Sequence, residues 1–250
     1  MADVLPHPCR RPIPAAAADI TCNLERHLEF IAQAADQQVQ LLVFPELSLS
    51  GYELANAAEL ALTLDDPRLQ PLSAAAQSRQ MTIIVGAPLR SGQALHIAAL
   101  IFHPNGTVAV YSKQHLHGAE QQYFSPGEGG PLLELHRQHI ALAICADTSE
   151  PGHASAAAQA GAHIYAAGVL ISEAGYAKDS AALAGYARRY GMVTLMANHA
   201  APTGGWIPAG RSAIWDETGE LLVAAPDDAP GLIIADKTSD GWHGRLCRLS

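Results

Sequence analysis

The amino-acid sequence predicts a single domain of the α/β class. Its 250 residues suffice for one large domain, and 49% hydrophobic against 16% charged residues provide for a substantial core. Short continuous apolar segments alternate with longer segments whose apolar residues recur at helical spacing. Because buried strands and amphipathic helices carry these two patterns, we expect residues 1–250 to form one unit of sheets covered by helices.

The first 18 residues are rich in proline and are expected to be irregular. Pro6, Pro8, Pro12 and Pro14 would interrupt a central strand, so a first strand here is irregular or lies at a sheet edge. The same prolines leave no apolar segment long enough for a signal peptide.

An amphipathic helix follows, with Thr21 or Asn23 as its cap. Residues 40–44 then predict a short buried strand that Pro45 ends, which places Glu46 just past the strand. The apolar positions of the helix are Leu24, Leu28, Ile31, Ala32 and Ala35.

The rest of the chain continues the alternation of strands and helices. The triplet 104–106, Pro-Asn-Gly, predicts a hairpin that delivers Lys113 at its end, and residues 217–219 predict a second hairpin. After residue 236 we expect an irregular C-terminus. The predicted helices are 66–79, 152–160 and 177–190, and the predicted strands are 81–87, 94–102, 107–112, 139–144, 163–169, 192–198, 212–215, 220–225 and 232–236.

Cys145 ends the most continuous apolar strand, 140–144, and is followed by a tight strand-to-helix turn. A thiol at the carboxyl end of a buried strand lies where an α/β sheet opens its active-site crevice. The amides of the following helix also favour a thiolate there. A buried core cysteine is the alternative interpretation, because free cysteine is among the most buried residue types.

Three further reactive residues accompany this cysteine. Glu46 and Lys113 each lie just past a predicted strand, and Glu120 lies on the loop between Lys113 and the cysteine strand. Acyl transfer by a thiol needs a base, a donor for the developing oxyanion and a group that protonates the leaving amine. Carboxylates, a lysine and a cysteine supply that set.

These motifs, in this order, resemble those of the nitrilase, or carbon-nitrogen hydrolase, superfamily along most of the chain. Several ordered motifs are far more specific than any one of them. They are the base motif at 44–52 (Phe-Pro-Glu-Leu-Ser-Leu-Ser-Gly-Tyr), the lysine motif Ser112-Lys113 with His115-Leu116, Glu120 before 123–127, the nucleophile motif at 144–147, and the late signature Ala197-Asn198 with 210–212.

The resemblance implies a four-layer α-β-β-α sandwich and an amidase mechanism without metal or cofactor. It implies that Glu46 is the general base, Cys145 the nucleophile and Lys113 the stabiliser of the oxyanion. Glu120 is implied to position substrate and reacting groups, and the amide of Ala146 to be a second oxyanion donor.

The same resemblance suggests how substrate is bound and how the chain assembles. We assign Tyr52, Tyr123 and Ala146 to substrate binding, and we expect a homodimer or larger homo-oligomer. The expected substrate is a small-molecule amide or carbamoyl amine. Segment 148–152 lacks the Arg-Phe-Pro that many members carry, so selection for carboxylated substrates is expected to be weak.

Composition excludes several other classes of function. A net charge of −9 and a pI near 5.7 argue against nucleic-acid and anionic-membrane partners. No apolar stretch is suited to span a membrane. Cysteines at 9, 22, 145 and 247 form no C-x-x-C pair and no zinc spacing, which favours a reducing, cytoplasmic location.

Two alternatives to the amidase interpretation stay open at this point. An isochorismatase-like hydrolase also uses Cys, Lys and a carboxylate, but it would leave the Phe-Pro-Glu motif unexplained. A catalytically silent binding protein with the same fold is the alternative from a different class of function.

Overall fold

The computed structural model describes residues 18–226 and 231–248, so the predicted proline-rich first strand lies largely outside the described residues. The helices are α1 (Ile20–Asp36), α2 (Ala57–Leu60), α3 (Gln70–Arg79), α4 (Pro151–Gln159) and α5 (Glu173–Tyr190). The strands are β1 (Leu41–Val43), β2 (Thr82–Ser91), β3 (Ala94–Phe102), β4 (Val108–Ser112), β5 (Leu133–Leu135), β6 (Gln138–Ile144), β7 (Ile164–Val169), β8 (Val193–Asn198), β9 (Ala213–Trp215), β10 (Leu221–Ala224), β11 (Gly231–Thr238) and β12 (Gly241–Arg248).

Two larger sheets pack face to face and are covered by helices on their outer sides. One sheet has the order β1-β2-β3-β4, and the other has the order β10-β9-β8-β7-β6-β5. One apolar cluster joins α1 and α3 to the first sheet, a second lies between the sheets, and a third joins α4 and α5 to the second sheet. These layers confirm the predicted α/β class and the four-layer α-β-β-α sandwich.

Strand β6 shows how the sequence builds two of these layers at once. Side chains alternate across a strand, so every second residue faces the same side. Ile140, Leu142 and Ile144 belong to the cluster between the sheets, whereas Ala141 and Ala143 belong to the cluster under α4 and α5. The small alanine side chains leave room for the helices, and the larger residues fill the space between the sheets.

The C-terminal part differs from the sequence prediction. Residues 241–248 were expected to be irregular, but they form β12, which pairs antiparallel with β11 in a separate two-stranded sheet. Most of β12 is exposed or half-buried, and its sequence contains two glycines and two arginines. It therefore lacks the apolar alternation by which a strand is recognised, and its pairing with β11 defines it instead.

Cysteine chemistry bears on the expected location of the protein. Cys145 and Cys247 are free thiols, whereas Cys22 on α1 is disulfide-bonded. Disulfides are rare in reducing compartments. The cytoplasmic location therefore stays a prediction that this bond does not support. Among the described residues no helix is both long and apolar enough to cross a bilayer.

The loop after β1 is held between the two sheets by close backbone contacts. A Cβ at Gly86 of β2 would lie 2.3 Å from the backbone nitrogen of Leu47. A Cβ at Gly168 of β7 would lie 2.7 Å from the carbonyl oxygen of Phe44 and 3.3 Å from the nitrogen of Glu46. Only glycine permits this approach at either position, so both sheets fix the backbone that carries Glu46.

A buried histidine on α1 ties the same loop to the helix layer. The Nδ1 of His27 donates to the carbonyl of Asn23 at 2.6 Å, so its Nε2 accepts from the hydroxyl of Ser48 at 2.9 Å. The Ser48 hydroxyl in turn accepts from the amide of Gly86 at 3.1 Å. Burial lowers the pKa of His27 to about 4, so the ring is neutral in the folded protein at neutral pH.

The contact at Gly168 gives a first prediction. Gly168→Ala should lower the free energy of unfolding by about 1 to 3 kcal/mol, because the added methyl group meets backbone that cannot move aside. The matched control is Gly185→Ala inside α5, where a Cβ meets nothing within 4 Å. That variant should gain about 0.5 to 1 kcal/mol from helix propensity. Urea unfolding measures both, and equal stability of Gly168→Ala and wild type would contradict the contact.

The neutral His27 gives a prediction about acid stability. Its folded pKa of about 4 lies below the unfolded value, so the unfolded chain binds the extra proton as the pH falls below about 6.5. Wild type should lose as much as about 3 kcal/mol through this group between pH 7 and pH 4. His27→Asn lacks this loss, so the stability difference between wild type and the variant should narrow on acidification. Parallel profiles of unfolding free energy against pH would refute the assignment.

Candidate active site

Glu46, Lys113 and Cys145 follow the ends of β1, β4 and β6, and Glu120 lies in a 3₁₀ helix, Gly118–Gln122. The Nζ of Lys113 lies 2.5 Å from Oε1 of Glu46. It also lies 2.8 Å and 2.9 Å from the two carboxylate oxygens of Glu120. The side chains of all three residues are buried from solvent. The structure therefore brings the predicted base, lysine and second glutamate into one buried cluster.

Glu120 is held by its own turn and by a tyrosine. It is the third residue of the 3₁₀ helix, and its Oε2 accepts from the amide of His117 at 2.7 Å. This is the carboxylate half of a capping box, which satisfies an otherwise unpaired amide. Its Oε1 accepts from the hydroxyl of Tyr52 at 2.6 Å. Hydrogen bonds therefore hold both carboxylate oxygens of Glu120 in place.

Cys145 occupies a strained turn at the end of β6. Its φ of +42° lies in the left-handed region, which residues with a side chain seldom adopt. Such strain persists only when the surroundings impose it, and it is common at active sites. The Sγ lies 3.6 Å from the carbonyl oxygen of Leu170. Ala146 follows as the second residue of the 3₁₀ helix Cys145–Ser149, so its amide belongs to the first turn, which has no partner within the helix.

The carboxylate of Glu46 is poised between its charged and neutral forms. Burial raises its pKa, the charge of Lys113 lowers it and the charge of Glu120 raises it again, which leaves the pKa at about 7. Its Oε2 is buried and has no hydrogen-bond partner among the described residues. A carboxylate with such a pKa and one unpartnered oxygen can accept a proton near neutral pH.

The pKa values of Lys113 and Cys145 are both raised, and the direction of the shift at the thiol is opposite to the one that the sequence predicted. Burial disfavours the charged form of Lys113, but the charges of Glu46, Cys145 and Glu120 together raise its pKa. Burial and the charge of Glu46 raise the pKa of the Cys145 thiol, and Lys113 only partly opposes them. The cysteine is therefore a thiol in the resting site and not the ready thiolate that its helix position suggested.

The residues assigned to substrate binding have different surroundings. Tyr52 is buried, and its hydroxyl donates to Glu120, so it contacts the buried cluster of Glu46, Lys113 and Glu120. Tyr123 is 42% exposed, directly after the Glu120 helix. Contact of either tyrosine with substrate stays a prediction.

Three residues that the sequence did not single out also support the cluster. The Nε2 of His199 donates to the carbonyl of Glu46 at 2.6 Å, and the Thr203 hydroxyl accepts from the amide of Tyr52 at 2.8 Å. Asp147 is buried two residues after the cysteine. Its place in the nucleophile turn was the available signal, since a buried acid needs partners. Nothing local marks His199 or Thr203, because each contact joins residues more than 150 positions apart.

The late signature has a structural explanation. The side-chain amide of Asn198 donates to the carbonyls of Ile171 and Gly210, and its oxygen accepts from the amide of Ile171. It therefore joins the loop after β7 to the loop before β9.

Among the described residues, no group of three or more His, Cys, Asp or Glu could hold a metal ion. Metal independence of the activity stays a prediction.

The chain matches a family model, several related sequences and several solved structures. A family model described as carbon-nitrogen hydrolase matches residues 9–243. The chain is 34% identical over 148 residues to an (R)-stereoselective amidase from Pseudomonas sp, a match to 58% of the chain and 53% of that protein. It is 29% identical over 236 residues to the deaminated glutathione amidase of Escherichia coli O157:H7, with 87% and 85% covered.

A solved structure agrees with these matches. A double mutant of the amidase from Nesterenkonia sp. AN1, in complex with acrylamide, superposes with a TM-score of 0.77 at 26% identity, covering 85% of this chain and 83% of that one. For several of the curated relatives, including the amidase from Pseudomonas sp, the matched region spans only about half of their length.

The bond between Tyr52 and Glu120 gives a testable prediction. Tyr52→Phe should lower the free energy of unfolding by about 1.5 to 3 kcal/mol, because a buried carboxylate loses one of its donors. Tyr123→Phe is the matched control: its ring is partly exposed, and the change should stay within about 0.5 kcal/mol. Denaturant unfolding measures both variants, and a Tyr52→Phe protein as stable as Tyr123→Phe would show that the bond contributes nothing.

Proposed function

Because the chain belongs to the carbon-nitrogen hydrolase family, we propose that it hydrolyses a small-molecule amide or carbamoyl amine through an acyl-enzyme on Cys145. One observation carries the proposal: a buried lysine is bound to two carboxylates beside the nucleophile turn. This set supplies the proton acceptor, the cation and the thiol that acyl transfer requires.

In the first half of the reaction, Glu46 removes the proton of Cys145 as the sulfur attacks the carbonyl carbon. The raised pKa values of both groups favour this order, because the thiol keeps its proton until a substrate is present. The carbonyl oxygen becomes an oxyanion, held by Nζ of Lys113 and the amide of Ala146. Glu46 then gives the proton to the leaving nitrogen, the carbon-nitrogen bond breaks, and a thioester remains on Cys145.

The resting hydrogen bonds of Lys113 explain how its charge reaches the oxyanion. Three bonds to carboxylate oxygens occupy the ammonium group. When Glu46 takes the thiol proton, it becomes neutral and its hold on Lys113 weakens. The negative charge that leaves Glu46 arises at the oxyanion, so Lys113 is released to the oxyanion when the charge develops there.

In the second half, water replaces the released amine or ammonia. Glu46 takes a proton from water, the resulting hydroxide attacks the thioester, and Lys113 and Ala146 again hold the oxyanion. Collapse of this intermediate expels the sulfur, which recovers a proton from Glu46, and the carboxylic acid leaves. Glu120 does not exchange protons in this scheme. It fixes Lys113 through two hydrogen bonds and is itself fixed by Tyr52.

The proposed substrates are amides or carbamoyl amines in preference to nitriles, and neutral compounds as readily as carboxylated ones. The amidases among the relatives and the solved amidase in complex with acrylamide support the first preference, whereas other relatives are named nitrilases. The second preference, for neutral as much as for carboxylated compounds, rests on segment 148–152, which contains no arginine to bind a carboxylate.

Assembly into a homodimer or larger oligomer stays a prediction from the resemblance.

The buried cluster weighs against the first alternative function. The proposed base, the glutamate of the Phe-Pro-Glu motif, lies in the lysine cluster, and the isochorismatase-like alternative does not explain this arrangement. The binding-protein alternative rests on the altered segment after Cys145, and the presence of all four reactive residues in one place weighs against it.

The covalent intermediate gives the decisive prediction. Intact mass spectrometry of enzyme quenched during turnover of a small amide should show the acyl group on the Cys145 peptide. Cys145→Ala should lose both adduct and turnover, whereas Cys247→Ala, which removes the other free thiol of the described residues, should keep both. Glu46→Gln should slow acylation and deacylation. Lys113→Ala should lose about 3 kcal/mol or more of transition-state stabilisation.

Two outcomes would overturn the proposed function. The first is an adduct on a cysteine other than Cys145. The second is full turnover by folded Cys145→Ala.

A further inference from the structure

Asp147 is a buried carboxylate to which the proposed mechanism assigns no step. Its side chain is fully buried, two residues after Cys145. Among the described residues its partners are three backbone amides, of Ile144, Gln114 and His115, together with the ring of His115 and the hydroxyl of Tyr111. A carboxylate with so many donors is fixed in place.

Both oxygens of Asp147 accept from the segment that carries Lys113, and Oδ2 also accepts from the residue before Cys145. Oδ1 accepts from the amides of Gln114 and His115 at 3.1 Å and 2.9 Å and lies 3.0 Å from Nδ1 of His115. Oδ2 accepts from the amide of Ile144 at 3.0 Å and from the hydroxyl of Tyr111 at 2.8 Å. One carboxylate therefore binds both the residues after Lys113 and the residue before Cys145.

These two segments belong to different sheets. Lys113 follows β4 of the four-stranded sheet, and Cys145 follows β6 of the six-stranded sheet. Among the described residues, every hydrogen bond between segments 111–116 and 144–149 ends on Asp147. Its bond to Ile144 also closes the turn in which Cys145 adopts its strained φ of +42°.

We propose that Asp147 is a positioning residue that fixes Nζ of Lys113 relative to Sγ of Cys145 by joining the backbones that carry them. The inference rests on the proposed function, because that function requires Lys113 to hold an oxyanion formed at the sulfur of Cys145. A misplacement of about 1 Å between such groups costs roughly 100-fold in rate. Asp147 acts on the reaction only through Lys113 and Cys145.

The variant that tests this role is Asp147→Asn. Asparagine keeps the shape, but its NH₂ group cannot accept a hydrogen bond. The acceptor is therefore lost either for the amides of Gln114 and His115 or for the amide of Ile144 and the hydroxyl of Tyr111. The matched control is Asp216→Asn. Oδ1 of Asp216 accepts three hydrogen bonds from Thr218 and Glu220 in the turn between β9 and β10, outside the catalytic cluster. That variant should lose stability and keep its kcat.

A double-mutant cycle separates positioning from general stability. In the wild-type background, Asp147→Asn should lower single-turnover acylation of a small amide roughly 100-fold, with KM changed less than about three-fold. In a Lys113→Ala background, the same substitution should lower the rate less than about three-fold, because the group that it positions is gone. An equal factor in both backgrounds would show a structural role alone and overturn the proposal, as would an unchanged rate in folded Asp147→Asn.

If Asp147→Asn does not fold, Tyr111→Phe takes its place in the cycle. It removes one donor from Oδ2, and it should slow acylation roughly five-fold in the wild-type background and have no effect with Lys113→Ala. Equal factors in the two backgrounds would again overturn the proposal.

A second readout distinguishes failure of the proposed amidase function from failure of the positioning role. If wild type hydrolyses no amide, the same cycle is run on alkylation of Cys145 by iodoacetamide at fixed pH. Lys113 stabilises the thiolate there, and Asp147→Asn should slow alkylation at least five-fold only when Lys113 is present. Equal slowing with and without Lys113 would reject the positioning role independently of any amidase activity.

Discussion

The ammonium group of Lys113 is the constraint on which the rest of the site depends. A buried cation without partners would cost several kcal/mol, so the fold must bring carboxylates to it from elsewhere in the chain. Glu46 arrives 67 positions away in sequence and Glu120 seven positions away. The loop that carries Glu46 is pressed between Gly86 and Gly168, so its position is set by both sheets. The position of Glu46 in the buried cluster is therefore set by the packing of the two sheets.

Much of the fold could be predicted from the sequence because its signals are local. The spacing of Leu24, Leu28 and Ile31 marks α1, and the apolar run before Cys145 marks β6. β12 could not be predicted, because none of its eight residues is buried and only pairing with β11 defines it. The ordered motifs also identified Glu46, Lys113, Glu120 and Cys145 as the candidate reactive residues. The partner of Tyr52, the donors around Asp147 and the raised pKa of the thiol depend on contacts and burial that no local pattern encodes.

Two short turns in the site use the same device. Glu120 and Asp147 are each the third residue of a 3₁₀ helix, and each accepts from the amide of the residue that precedes its helix. The other carboxylate oxygen of each acid reaches a different part of the chain: Oε1 of Glu120 accepts from Lys113, and Oδ1 of Asp147 accepts from the segment after Lys113. A helix-capping interaction thereby also orients a distant reactive group. This explains why acids occur at these buried positions, where an apolar residue would pack at lower cost.

The charge of the buried cluster has a consequence for the direction of the reaction. With Glu46 ionised, the cluster holds two carboxylates and one ammonium, so it carries one more negative than positive charge. The amide that enters in the proposed reaction is neutral at that position, whereas the acid that forms ionises at neutral pH. Like charges a few ångströms apart in a poorly solvated site repel strongly. In the proposed reaction this repulsion favours release of the acid and disfavours both product inhibition and resynthesis of the amide.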